Sequence, residues 1–230
     1  MNAIDFHNRI AARFHDKYQS SKAFEERFAI WTGLFERYVH STDRVIDLGC
    51  GSGIFSNYLA EKGCTVTGID GSAAMIALCE RLKTSASALY VRDSLPLAEP
   101  VRFAYQDVAL MSSVLEYLVE PGEMLAQVKT LLKSNGLLIV SIPNQRSFYR
   151  VMERGIFRLT KRPAYLMHSR HVITPNVLNQ QVKMLGFELL ETTYFSAPDP
   201  LSWALKPFLA EQYVNNLFVG VYRKKPLYRL

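Results

Sequence analysis

Val45-Ile46-Asp47-Leu48-Gly49-Cys50-Gly51-Ser52-Gly53 is an apolar run that reaches an acid and then breaks into three alternating glycines, followed at once by the helix-like stretch IFSNYLAEKG. Glycine lets the backbone take positive φ and lets a ligand approach where a Cβ would stand. The helix that follows offers free N–H groups and a positive dipole end. A strand, a glycine turn and a helix in that order therefore read as a small-molecule cradle at the carboxyl end of a strand, where open α/β sheets place their ligands.

Outward from this loop the same alternation continues. RVIDLGC, TVTGID, ALYV, DVALMSSV and LLIVSIP are short apolar runs, and IFSNYLAEKG, SAAMIALCERLK and EMLAQVKTLLKSNG between them have helical character. Strands alternating with helices give a parallel sheet covered on both faces. Gly63 and Gly136 follow charged residues at two expected helix ends, where a left-handed residue closes the helix. A further helix is expected to end near Gly186, followed by strands FELLETTYFS and NNLFVGVYR. Before the alternation, Phe24, Phe28, Trp31, Leu34, Phe35 and Tyr38 recur at spacings of three and four, an aromatic stripe for a core-facing helix.

The 230 residues, 49% of them hydrophobic, suffice for one large core. No stretch approaches the roughly 20 apolar residues of a membrane span, and the first residues carry charges throughout where a signal peptide would be apolar. A cytoplasmic protein is expected. Three cysteines, Cys50, Cys64 and Cys79, form no C-x-x-C pair, which argues against a disulfide framework or zinc site. His168 and His171 are spaced by three without a further ligand cluster, so no metal is expected. The net charge of +6 leaves an acidic partner, an anionic surface or plain solubility open.

The details of the loop separate its possible ligands. Ile54 stands where a dinucleotide fingerprint has its third glycine, and Asp47 precedes the loop. A carboxylate there repels a pyrophosphate and attracts the α-ammonium and sulfonium of S-adenosylmethionine. Asp70 ends the second strand 17 residues after Gly53, placed to accept hydrogen bonds from two ribose hydroxyls.

On D-L-G-C-G-S-G and Asp70 the chain resembles the class I S-adenosylmethionine-dependent methyltransferases over about residues 44–222, and within them the small-molecule enzymes related to the ubiquinone-biosynthesis O-methyltransferases. The resemblance implies a Rossmann-like α/β fold: a mostly parallel seven-stranded sheet with helices on both faces and an antiparallel last strand. It implies that Asp47, Gly49, Gly51 and Gly53 surround the methionine moiety, that Asp70 binds the ribose, and that Gly71, Ser72 and Met75 follow it toward the adenine. Asp93 and Ser94 match the turn that meets the adenine amino group, and Ser112 and Ser113 face the methyl-transfer centre. The family segment V-L-E-H-L reads Val114-Leu115-Glu116-Tyr117-Leu118 here, with tyrosine in the histidine place.

Methyl transfer is a displacement with a good leaving group, governed by alignment, and a base serves only a proton-bearing nucleophile. The resemblance implies an acceptor pocket closed by the N-terminal helices and by the insertion before the sixth strand. Tyr18, Tyr117, His168 and His171 are the candidates there, with histidine the natural base for a phenol or alcohol. One domain is expected, with residues 1–43 as a helical cap, 44–143 as the cofactor core, 144–174 as the insertion and 175–230 completing the sheet. Arg146, Arg150, Arg154 and Arg158 repeat every four residues among apolar neighbours, a basic amphipathic face suited to an acidic carrier protein or an anionic membrane surface. The expected function is S-adenosylmethionine-dependent methyl transfer, most readily to oxygen, on a small, lipid-like or carrier-bound acceptor. The alternatives are a nucleic-acid methyltransferase and a non-catalytic binding module. MSSVLEY lacks the N/D-P-P-Y type motif of base amino methylases, which argues against nucleic acid as the partner.

Overall fold

The computed structural model describes residues 3–160, 169, 171–197 and 200–226. Seven strands form one sheet: β1 (Arg44–Leu48), β2 (Thr65–Asp70), β3 (Ala88–Arg92), β4 (Gln106–Ser112), β5 (Leu132–Pro143), β6 (Phe187–Phe195) and β7 (Leu217–Lys224). Their order is β3-β2-β1-β4-β5-β7-β6. β1 runs parallel to β2 and β4, β2 to β3 and β4 to β5, whereas β7 lies antiparallel to both β5 and β6. The expected antiparallel last strand is thus present, inserted between β5 and β6. Residues 45–48 of β1 are all buried, as a central parallel strand covered on both faces must be. The chain leaves β1 toward β2 and returns across it to β4, so the strand order reverses between β1 and β4 and opens a crevice at their carboxyl ends.

Helices α1 (Ala3–Ser20) and α2 (Lys22–Tyr38) precede the sheet, and α3 (Ile54–Glu61), α4 (Ala73–Leu82) and α5 (Pro121–Leu131) connect its parallel strands. The aromatic stripe of α2 forms half of one core. Trp31, Leu34 and Phe35 are fully buried, and the Trp31 ring stacks on Phe55 of α3 with centroids 5.0 Å apart. This fixes the N-terminal cap against the helix that follows the glycine loop, so the two sides of the crevice share one rigid packing.

Two expectations change. Gly63 and Gly186 take positive φ at helix ends as expected, but α5 runs straight into β5 and the left-handed residue is Asn135, within the first part of that strand, with φ 64°. Gly136 serves close approach instead, since a Cβ there would lie 3.0 Å from the Lys133 carbonyl oxygen. The single arginine face is also corrected. Arg146 precedes α6 (Phe148–Thr160) and donates to Gln212, while Arg150 points inward, 8% exposed, and pairs with Glu153 at 2.6 Å. Only Arg154 and Arg158 of the four lie on the exposed face of the helix, beside Phe148, Val151 and Met152, each more than half exposed. A buried guanidinium needs its carboxylate partner, and the i,i+3 spacing to Glu153 supplies it on the same face.

Candidate active site

The glycine loop turns out of β1 exactly where the sheet reverses, held by Gly49 and Cys50 amides donating to the Ile69 carbonyl at 2.7 and 3.0 Å. Gly49, Gly51 and Gly53 have φ of 76°, 54° and 74°. Two of them have no room for a side chain. A Cβ at Gly49 would stand 2.4 Å from Val114 Cγ2, and one at Gly53 would stand 2.8 Å from the Tyr90 hydroxyl. The Cys79 thiol donates to the Gly51 carbonyl at 3.1 Å, and its nearness together with burial pushes the Cys50 thiol up. Neither sulfur is poised as a nucleophile; they pack beneath the loop.

Asp47 is 1% exposed and accepts one hydrogen bond, from the Ser56 hydroxyl at 2.6 Å. Burial pushes its carboxyl up to about 6, against the lowering pull of that hydrogen bond and of Arg27. A buried carboxylate so sparsely compensated is a site for a cation. Asp70 accepts from the Gly51 amide at 3.0 Å and the Ser72 amide at 2.8 Å, and burial raises its carboxyl too. Each of its oxygens keeps a lone pair for a ligand hydroxyl. Ser72 caps α4 by accepting from the Met75 amide and donates to Asn8 of α1 at 2.6 Å. Met75 is buried, Gly71 gives room to Ile4 of α1, and Asp93 accepts from the Ser94 amide at 2.8 Å. The Ser52 hydroxyl beside Gly51 is buried and bonded to nothing.

Across the crevice β4 stops at Ser112, and Ser113 turns the chain with φ 58° while its amide donates to the Ser141 carbonyl and hydroxyl. Arg27 of α2 donates to the Ser112 hydroxyl. Glu116 follows in a single 3-10 turn, 3% exposed, with its carboxyl pushed up to about 7 by burial. Tyr117 meets the ring of His7 of α1 edge to face at 5.3 Å. His171 is tied to this turn: its amide donates to the Glu116 carbonyl at 3.3 Å and Nε2 lies 3.0 Å from the Leu118 carbonyl oxygen. A carbonyl only accepts, so Nε2 carries the proton in that contact. His168 and the Tyr18 side chain fall outside the described residues.

Asp47 and the glycine loop thus stand at the end of β1, Asp70 with Ser72 and the buried Met75 at the end of β2, Asp93 after β3 and Ser112 at the end of β4, all at the carboxyl edge of the sheet. Arg27, Glu116, Ser56 and Asn8 were missed. Arg27 sits in the charged run E-E-R-F, which reads as a solvated helix face, and Glu116 is a lone acid in an apolar segment with no spacing that marks it.

A reversed parallel sheet, a glycine loop without room for side chains and two acids spaced for an amine and a ribose define a class I S-adenosylmethionine-dependent methyltransferase domain. The buried orphan hydroxyl of Ser52, the under-compensated Asp47 and the filled-if-substituted cradle at Gly49 and Gly53 all fit that cofactor, whose sulfonium supplies an electrophilic methyl group when bound. The chain belongs to the family described as "Methyltransferase domain", which matches residues 6–192.

Among curated relatives, the ubiquinone biosynthesis O-methyltransferase of Bradyrhizobium diazoefficiens is 31% identical over 157 residues, covering 64% of this chain and 60% of the relative. The enzyme of the same name from Nitrosospira multiformis is 25% identical over 189 residues, covering 80% and 79%. The chain thus spans only about 60% of the length of the first of these relatives. Among solved structures, the N-methyltransferase NodS from Bradyrhizobium japonicum, in complex with S-adenosyl-L-homocysteine, superposes with a TM-score of 0.69 at 15% identity, over 98% of this chain and 100% of NodS. At that identity it supports the fold.

Proposed function

We propose that this chain transfers the methyl group of S-adenosylmethionine to an oxygen of a small, lipid-like or carrier-bound acceptor. The observation that carries the reading is that Asp47, a buried acid short of partners near the end of β1, stands beside the polar end of β4, where Arg27 of α2 meets Ser112. The likeness to O-methyltransferases over most of the crevice-forming chain supports oxygen as the atom methylated. The protein's own residues would bind and align: Asp47 the amine, Asp70 the ribose diol, and α1 and α2 exclude water from above.

The outward face of α6 supports a lipid-like acceptor reached at a surface. Its charged pair Arg150–Glu153 is turned in, and Phe148, Val151 and Met152 are turned out beside Arg154 and Arg158. Exposed apolar side chains flanked by arginines suit an anionic membrane interface better than water. Among the described residues no helix is long and apolar enough to cross a membrane, so the contact would be peripheral.

The test incubates the pure protein with methyl-labelled S-adenosylmethionine and an extract of its source organism, then partitions the label. Methyl ether in the lipid or small-molecule fraction, lost with Asp70→Ala, is the expected result. Label in nucleic acid, or only on nitrogen, would overturn the reading.

A further inference from the structure

Two side chains of opposite charge, each with an unpartnered polar atom, end at the carboxyl end of β4. The Glu116 Oε2 atom is buried without a hydrogen-bond partner, and so is Arg27 Nε, whose terminal nitrogen is on Ser112. Burying a charged group without completing its hydrogen bonds is costly, so two such atoms at the end of one strand mark a place where something else completes them. Arg27 lies near enough to both Asp47 and Glu116 for its charge to favour the ionised form of each, and its bond to Ser112 anchors it at the end of β4.

On the reading that the acceptor atom is oxygen, we infer that Glu116 is the proton acceptor for the acceptor's hydroxyl and that Arg27 holds the oxygen's developing negative charge. The hydroxyl proton passes to Glu116 Oε2. The freed oxygen lone pair forms the bond to the methyl carbon as the carbon–sulfur bond breaks, and its electron pair stays on sulfur, leaving a neutral thioether. The carboxyl then releases its proton to solvent. Such an acceptor is a phenol or a similarly acidic alcohol, since a carboxylate near neutrality draws a proton only from a group of comparable acidity in place. Tyr117 fills the position where relatives keep histidine, and His171 Nε2 is occupied at Leu118, whereas Glu116 keeps an unpartnered carboxylate oxygen in the turn after β4.

The groups that face Glu116 set its titration. These are Arg27 from α2, Arg150 from α6, the Ser113 hydroxyl and its own amide, all favouring the charged form against burial, while Glu153 holds Arg150. Methyl transfer into the extract-derived ether should accordingly rise about tenfold per pH unit below about 7 and level off above it.

The experiment compares wild type, Glu116→Gln and Glu116→Asp. First, titration with S-adenosylhomocysteine should give affinities within about threefold of one another, showing that Glu116→Gln retains the fold and the cofactor cradle. Second, 4-nitrocatechol, whose ionised form is visible in absorbance, is titrated in each S-adenosylhomocysteine complex from pH 5.5 to 8.5. In wild type the bound phenol should ionise in two steps, coupled to the carboxyl, and in Glu116→Gln in one. Third, transfer into the methyl ether should fall by about 100-fold or more in Glu116→Gln, lose its pH inflection and be partly restored in Glu116→Asp. An unchanged phenol titration or an unchanged pH inflection in Glu116→Gln, or no binding of the catechol to wild type, would overturn the inference. Ether formation that survives Glu116→Gln sinks only this inference, whereas label confined to nitrogen or nucleic acid sinks the O-methyl reading beneath it. Should Glu116→Gln fail to bind S-adenosylhomocysteine, the wild-type pH profile decides alone: a flat rate from pH 5.5 to 8.5 overturns the assignment.

Discussion

Exchanging Asp47 for asparagine should strengthen the unliganded protein while weakening its hold on the cofactor. The carboxyl is raised from 3.8 to about 6 by burial. At about 1.36 kcal/mol per pH unit, keeping it ionised above pH 7 costs the unliganded fold about 3 kcal/mol. Because the folded value lies above the unfolded one, wild type loses this stability as pH rises from about 4 through about 6, and the loss is complete beyond that. Asparagine keeps an oxygen for the Ser56 hydroxyl, now bonded at 2.6 Å, and removes the charge. Urea denaturation should show Asp47→Asn more stable by up to about 3 kcal/mol at pH 8 and by only about 1 kcal/mol at pH 4.5. At about 2–4 °C per kcal/mol for a chain of this size, melting at pH 8 should rise by about 6–12 °C at the upper limit. Calorimetric titration should show S-adenosylmethionine bound about 10- to 100-fold more weakly, the worth of a hydrogen bond to a charged group. A variant less stable than wild type at pH 8 would refute the reasoning, since it would mean that Arg27 already neutralises Asp47 before any ligand arrives.

Gly49→Ala places a Cβ 2.4 Å from Val114 at φ 76° and should cost about 2–4 kcal/mol in urea denaturation, with cofactor binding lost alongside; a fully stable variant that binds normally would show the loop is free to shift. Asp70→Ala strips the acceptor from the Gly51 and Ser72 amides and should raise the S-adenosylmethionine dissociation constant at least about tenfold by calorimetry. Arg154→Glu with Arg158→Glu should leave the melting temperature within about 2 °C and reduce sedimentation with anionic vesicles by at least tenfold, at about 1 kcal/mol per basic residue near a charged surface. Arg150→Glu, by contrast, sets two carboxylates together in a buried position beside Glu153 and should destabilise α6 by several kcal/mol whatever the lipid, as read by thermal melting.

The strands, the helices between them and the glycine loop were legible because their signals are local. An apolar run bounded by glycines has one comfortable conformation, and D-L-G-C-G-S-G forces its turn at Gly49, Gly51 and Gly53 through the backbone alone. The stripe of α2 was legible for the same reason, since periodicity along one helix decides which face is buried, and Trp31, Leu34 and Phe35 are indeed its core face. Asp47 and Asp70 could be placed because each ends a strand whose neighbours in the sheet follow from the alternation.

What only the tertiary structure decided depends on groups far apart in sequence. Arg27 reaches Ser112 across 85 positions, and no periodicity in α2 announces that this one charge of E-E-R-F turns inward. The same limit hid the reversal of α6. Four arginines at a spacing of four share a face on an ideal helix, but Arg146 precedes the helix and Arg150 has an inward partner in Glu153, so desolvation and pairing outweighed the pattern. Early in β5, Asn135 took the left-handed position and left Gly136 to accommodate the Lys133 and Asp107 carbonyls. Sequence alone determined the sheet, the loop and the acids that greet a cofactor. Which charges are buried, and beside which partners, was fixed by packing, because Coulomb and hydrogen-bond energies depend on distances that only the folded chain sets.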